Sequence, residues 1–115
     1  MSNPNPGEIW LVRFPFSDLT AAKVRPALVL ATYKQDVIIL GIFSKIPTGT
    51  LSQNWVLMAD SHPEFSQTGL NKSSVIRADK IATVHQSIFQ KHLGILPLDQ
   101  IQSVETALKR ALNLM

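Results

Sequence analysis

Gly7-Glu8-Ile9-Trp10-Leu11-Val12-Arg13-Phe14-Pro15-Phe16-Ser17-Asp18-Leu19, followed by Lys23-Val24-Arg25-Pro26-Ala27-Leu28-Val29-Leu30, is the stretch whose reading decides the fold. Two apolar segments flank a polar interval, and Ile9, Leu11 and Arg13 alternate with Trp10, Val12 and Phe14. That period of two predicts a first strand over 9–14, then a loop, then a second strand from Pro26 to Thr32. A residue before proline is driven toward extended geometry, and proline, with no N–H to offer, suits a strand's first position. Arg25 is therefore expected at the lip of a sheet. A guanidinium held there suits planar, bidentate recognition of phosphate.

Working outward, Pro26–Thr32 and Val37–Phe43 are near-continuous apolar runs. Runs of that kind mark central strands covered on both faces. Tyr33-Lys34-Gln35-Asp36 is the only polar interval between them, which predicts a hairpin. A turn centred between Lys34 and Gln35 puts Arg25 opposite Ser44, on the same face, provided no bulge intervenes.

Beyond a second loop, Lys45–Gln53, a short strand is expected at Trp55–Met58. A turn-rich region follows from Asp60 to Asn71, punctuated by His62-Pro63 and Gly69. Ser73–Val84 reads as a strand pair or one bent strand, Gln86–Phe89 as a helical turn, and His92–Leu96 as a last strand. From Asp99 to Leu114, Ile101, Val104, Leu108, Ala111 and Leu112 recur at helical spacing. Asp99 with Gln102 resembles a capping box, and Lys109 and Arg110 suit the C-terminal end. The expected fold is mainly β with a C-terminal helix (α+β): a small twisted barrel closed by that helix. Residues 1–6 are expected to fray, and 7–115 to form a single domain.

Composition narrows the function. With 115 residues, 45% of them hydrophobic, the chain is expected to build a single core but not two. It contains no apolar run of membrane-spanning length and no signal-peptide pattern. Zero cysteines exclude disulfides and thiolate metal sites, in keeping with a cytoplasmic protein. A net charge of +3 is a mild bias toward acidic partners such as nucleic acid.

Gly-Glu-Ile-Trp-Leu-Val from Gly7, Phe-Pro-Phe-Ser-Asp-Leu from Phe14, and Arg25-Pro26-Ala27-Leu28-Val29-Leu30 together resemble the MazF/PemK toxins of type II toxin–antitoxin systems. The resemblance continues through Ile42-Phe43-Ser44-Lys45, Ser74-Val75-Ile76-Arg77-Ala78-Asp79, Ile81-Ala82-Thr83-Val84 and Leu93-Gly94, to the terminal helix. Only Lys45–Leu70 matches weakly. It implies an SH3-like barrel, a homodimer, and a metal-independent endoribonuclease cutting single-stranded RNA at preferred sequences. It also implies a cognate antitoxin that blocks the active site, with operator DNA bound only through that antitoxin. No cofactor is implied.

Cleavage without metal uses the substrate's 2′-hydroxyl as nucleophile, so the protein must manage two protons and the phosphorane's charge. The resemblance implies Arg25 and Ser44 as the catalytic pair. On its own a strand-end serine is usually satisfied by backbone, and a loop-edge arginine by carbonyls. Arg77 and Asp79, two apart and so on one strand face, are further catalytic candidates or else a brace for the barrel. A related branch pairs this Arg-x-Asp pattern with a first-loop histidine, and none lies between residues 15 and 24. Lys23, Lys45, Thr48 and Thr50 are candidate phosphate contacts. Phe16 and Trp55 are candidate stacking surfaces, although tryptophan is first a core or interface residue. His62, His85 and His92 show no metal-ligand spacing.

A different function on a similar barrel is a non-enzymatic poison binding DNA gyrase, as CcdB is, or an inactive RNA-binding barrel, since a fold does not fix an activity.

Overall fold

The computed structural model describes residues 3–14 and 23–115, apart from the side chain of Phe14. Alternation and the apolar runs yield β1 (Glu8–Phe14), β2 (Lys23–Tyr33), β3 (Asp36–Phe43), β4 (Trp55–Met58), β5 (Ser74–His85) and β6 (Phe89–Ile95), followed by α1 (Leu98–Ala111). All pair antiparallel in one sheet of order β4-β5-β3-β2-β1-β6. The sheet bends into the barrel-like form expected, although no ladder joins β4 to β6 among the described residues. Ser74–His85 is one bent strand: opposite Leu40 and Gly41 its register jumps from Ile81 to Arg77, and such bulges curve a sheet.

Side-chain alternation sends two apolar sets to opposite faces, so the sheet separates two cores where the chain length led to the expectation of one. Ile9, Leu28, Leu40, Ile42, Met58 and Ile76 pack with Val104 and Ala107 of α1. Trp10, Val12, Ala27, Val29, Val37, Ile39 and Phe89 fill the other face. Because β2 and β3 feed both cores, their sequences read as unbroken apolar runs.

The hairpin forms as expected, with Tyr33 facing Asp36 and Lys34 in the left-handed region at φ 55°. Its register does not persist. A bulge between Val29 and Ala31 resets the ladder, so Val29 faces Ile39 and Ala27 faces Gly41. Continued by two residues, that ladder sets Arg25 opposite Phe43 rather than Ser44. The single-residue shift moves every later side chain to a new partner.

The ends of the helix also differ from expectation. Helix α1 starts after Pro97 with no side-chain cap, and Asp99 instead lies 2.9 Å from Nε2 of His62. It stops at Ala111 because Asn113 turns left-handed at φ 57°. Leu114 N–H then donates to the Lys109 carbonyl and Asn113 N–H to that of Arg110, which closes the last turn. At the N-terminus Pro4 is buried, and Asn5 N–H donates to Glu8 Oε1 at 2.8 Å. No helix among the described residues is long and apolar enough to cross a membrane.

Candidate functional site

Beyond Ile39 the second core gives way to cations and aromatic rings drawn from four strands. Trp55 of β4 faces Arg77 of β5, and Phe43 of β3 faces Val75. The Arg77 guanidinium carbon lies 4.2 Å from the Trp55 ring centre and 5.7 Å from that of Phe43. Arg25 approaches the same Phe43 ring to 5.3 Å. Each contact of this kind contributes about 0.5–1 kcal/mol at a part-exposed site. They also remove rotamer freedom from two long side chains, which holds both charges in place.

Two hollows open beside this row. The first, about 250 Å³, is bordered by Arg25 and Ser44 with Pro26, Ile42, Asn71 and Lys72. The second, about 310 Å³, is bordered by Phe43, Lys45, Pro47, Trp55, Val75 and Arg77. A larger hollow of about 510 Å³ lies between β4 and α1, and Arg110 is its only charged lining residue. The first two bring together the cations that phosphate recognition requires, and the site is therefore placed there.

Lys72 reaches the first hollow through a clamp on β6. The 3-10 turn Phe65–Thr68 ends at Gly69, left-handed at φ 73°. A Cβ at Gly94 would meet the Gln67 carbonyl oxygen at 2.1 Å, and one at Gly69 would meet that of Leu93 at 2.2 Å. Only two glycines permit the approach. Buried Ser74 then donates from Oγ to the Lys72 carbonyl at 2.9 Å, fixing the segment as it enters β5.

Arg77 and Asp79 form the pair expected of them. Nε donates to Oδ1 at 3.1 Å and Nη2 to Oδ2 at 2.6 Å. Those hydrogen bonds hold the Asp79 carboxyl below the usual carboxylate range, against the opposing effect of partial burial. The histidines are occupied elsewhere. His62 Nδ1 accepts from Glu64 N–H, leaving Nε2 to donate to Asp99. His85 Nδ1 accepts from Ser87 N–H, and His92 packs edge-on against Trp10. None borders either hollow.

Of the residues singled out in the sequence, Arg25 and Ser44 share one hollow and Lys45, Trp55 and Arg77 the other. Lys23, Thr48 and Thr50 are exposed and border neither. Phe16 lies outside the described residues. Sequence reasoning missed Lys72, a lysine in a turn-rich stretch like any other surface lysine. It also missed Phe43, read only as a strand end. The signal available for both was proximity to Ser74 and Ser44 at strand ends.

Among families, residues 5–112 match the model for the PemK-like, MazF-like toxin of type II toxin–antitoxin systems. No individual characterised protein matches by sequence. In structure the chain is similar to MazF from Deinococcus radiodurans, at TM-score 0.72 and 22% identity over 98% of this chain and 99% of that one. It is also similar to the Mycobacterium tuberculosis toxin MazF-mt6, at TM-score 0.71 and 19% identity over 92% and 96%. A mycobacterial endoribonuclease in complex with its cognate antitoxin matches at TM-score 0.70 and 21% identity, over 97% of each chain. At these identities the likeness to solved structures establishes the fold.

Proposed function

Because the chain belongs to the PemK-like, MazF-like toxins of type II toxin–antitoxin systems, we propose that it is an endoribonuclease cutting single-stranded RNA without a metal ion. The observation that carries this reading is the convergence of Arg25, Ser44 and Lys72 on one open hollow. The 2′-oxygen attacks the neighbouring phosphorus and gives up its proton as the new P–O bond forms. The P–O5′ bond breaks and the departing oxygen takes up a proton. The products are a 2′,3′-cyclic phosphate and a 5′-hydroxyl.

Arg25 supplies paired donors to the phosphorane oxygens, where charge develops most. Its contact with Phe43 orients it beforehand, so little reorganisation is needed at the moment of reaction. Ser44 Oγ hydrogen-bonds a phosphate oxygen or orients the 2′-hydroxyl. Lys72 holds the strand by charge. Asp79, kept ionised by Arg77, is a weak proton acceptor at neutral pH, and its role is to brace the Arg77 guanidinium. The fold's occurrence in a complex with a cognate antitoxin supports an antitoxin as partner. Homodimer assembly, operator binding through that antitoxin and a cytoplasmic site of action complete the proposal.

Purified protein in EDTA is expected to cut long single-stranded RNA and to leave cyclic phosphate ends. Arg25→Ala should reduce the rate by about 100-fold or more, the scale of losing one electrostatic stabiliser. A folded Arg25→Ala protein with undiminished activity would remove Arg25 from the mechanism. Gyrase inhibition without RNA cleavage would replace the proposal with a binding poison.

A further inference from the structure

The second hollow has a chemistry of its own. Its floor is two cross-strand pairs, Phe43 with Val75 and Trp55 with Arg77, and its rim carries Lys45 and Pro47. Phe43, Val75 and Trp55 supply apolar and aromatic surface, and the Arg77 guanidinium carbon lies 4.2 Å from the centre of the Trp55 ring. Aromatic and guanidinium planes of this kind are where unpaired bases of single-stranded RNA stack. Among the six side chains that border the hollow, those with polar hydrogens are Lys45, Trp55 and Arg77. Each is a donor, and none of the six carries an acceptor. Two Arg77 donors are already spent on Asp79. The exposed Lys45 ammonium makes no ion pair among the described residues, and is left to read an edge.

We propose that this hollow is a nucleobase subsite selective for keto bases, uracil or guanine, over cytosine and adenine. The Lys45 ammonium and the other side-chain donors of the lining donate to the O4 of uracil or the O6 and N7 of guanine. An exocyclic amine in the same place would set a donor against the Lys45 ammonium, which costs affinity. The Phe43 ring is shared, with Arg25 at 5.3 Å and Arg77 at 5.7 Å. The selected base therefore belongs to a nucleotide adjoining the phosphate held at Arg25. The inference rests on the endoribonuclease reading only in taking single-stranded RNA as the ligand.

The test uses 2′-O-methyl pentamers, which lack the nucleophile and are not cut. Labelled uridine and cytidine pentamers differ at the base edge alone, and their binding to the full chain is followed by fluorescence anisotropy. Uridine is expected to bind about tenfold tighter, the scale of one discriminating base contact. Lys45→Met, at an exposed position, should remove that preference while retaining stacking. Trp55→Ala should weaken both pentamers by about tenfold. Equal binding of the two pentamers, or a uridine preference intact in Lys45→Met, would overturn the subsite, as would failure of either to bind. Selective binding by a protein that cuts no RNA would uphold the subsite and remove the endoribonuclease reading instead.

Discussion

Replacing Gly94 by alanine tests the clamp that carries Lys72 to the site. The added methyl would stand 2.1 Å from the Gln67 carbonyl oxygen and 2.6 Å from the Thr68 carbonyl carbon. Both are backbone atoms, so no side-chain rotation relieves the collision, and β6 must move away from the 65–69 turn. Overpacking of a buried site costs roughly 1–3 kcal/mol. A backbone neighbour puts this case at the upper end, about 3 kcal/mol. For a domain of this size that corresponds to a fall in melting temperature of about 12 °C, at roughly 4 °C per kcal/mol. Gly49→Ala is the control: its φ is +90° but nothing lies within 4 Å of the new methyl. It should lose only the conformational penalty of a left-handed alanine, about 1 kcal/mol. Thermal unfolding followed by circular dichroism gives both numbers. A Gly94→Ala protein melting within a few degrees of the parent, or above Gly49→Ala, would refute the steric reasoning.

Other outcomes are expected. Leu40→Ala removes a side chain with no solvent exposure from the core under α1, and chemical denaturation should show a loss of about 2–5 kcal/mol. Lys72→Ala should weaken binding of non-cleavable single-stranded RNA uniformly across sequences. The log–log salt slope should fall by about 0.7, one phosphate contact's worth, and an unchanged slope would remove Lys72 from the RNA path. Asp79 has a folded-state pKa below its unfolded one, so its stabilising contribution is fully present above the ordinary aspartate range. That contribution is lost as pH falls through the lower, folded-state value. Asp79→Asn should accordingly be less stable than the parent near neutrality, by no more than about 1 kcal/mol for a solvent-screened pair. The two proteins should converge in stability below the folded pKa, and a gap that widens in acid would contradict the assigned pairing.

The sequence by itself determined the elements and their order. Alternation marks β1, unbroken apolar runs mark β2 and β3, and helical spacing marks α1, whereas Ser73–Val84 reads equally as a strand pair or one bent strand until the bulge opposite Leu40 and Gly41 is seen. Arg25 sits differently from the expectation that its strand starts at Pro26: β2 begins at Lys23, and Arg25 pairs with Val12 inside the β1–β2 ladder, because pairing with β1 carries the strand past the proline. Tertiary structure decided what faces what. The bulge between Val29 and Ala31 put Phe43, not Ser44, across from Arg25, and a bulge's placement reflects both cores at once rather than any local run. Asp99 reads as a cap from its spacing to Gln102, yet His62, 37 positions away, takes it as a partner. Lys72 enters the site only because Gly69 and Gly94, far apart in the chain, let two backbones meet. Such contacts are set by packing between distant segments, and no short stretch of residues encodes them.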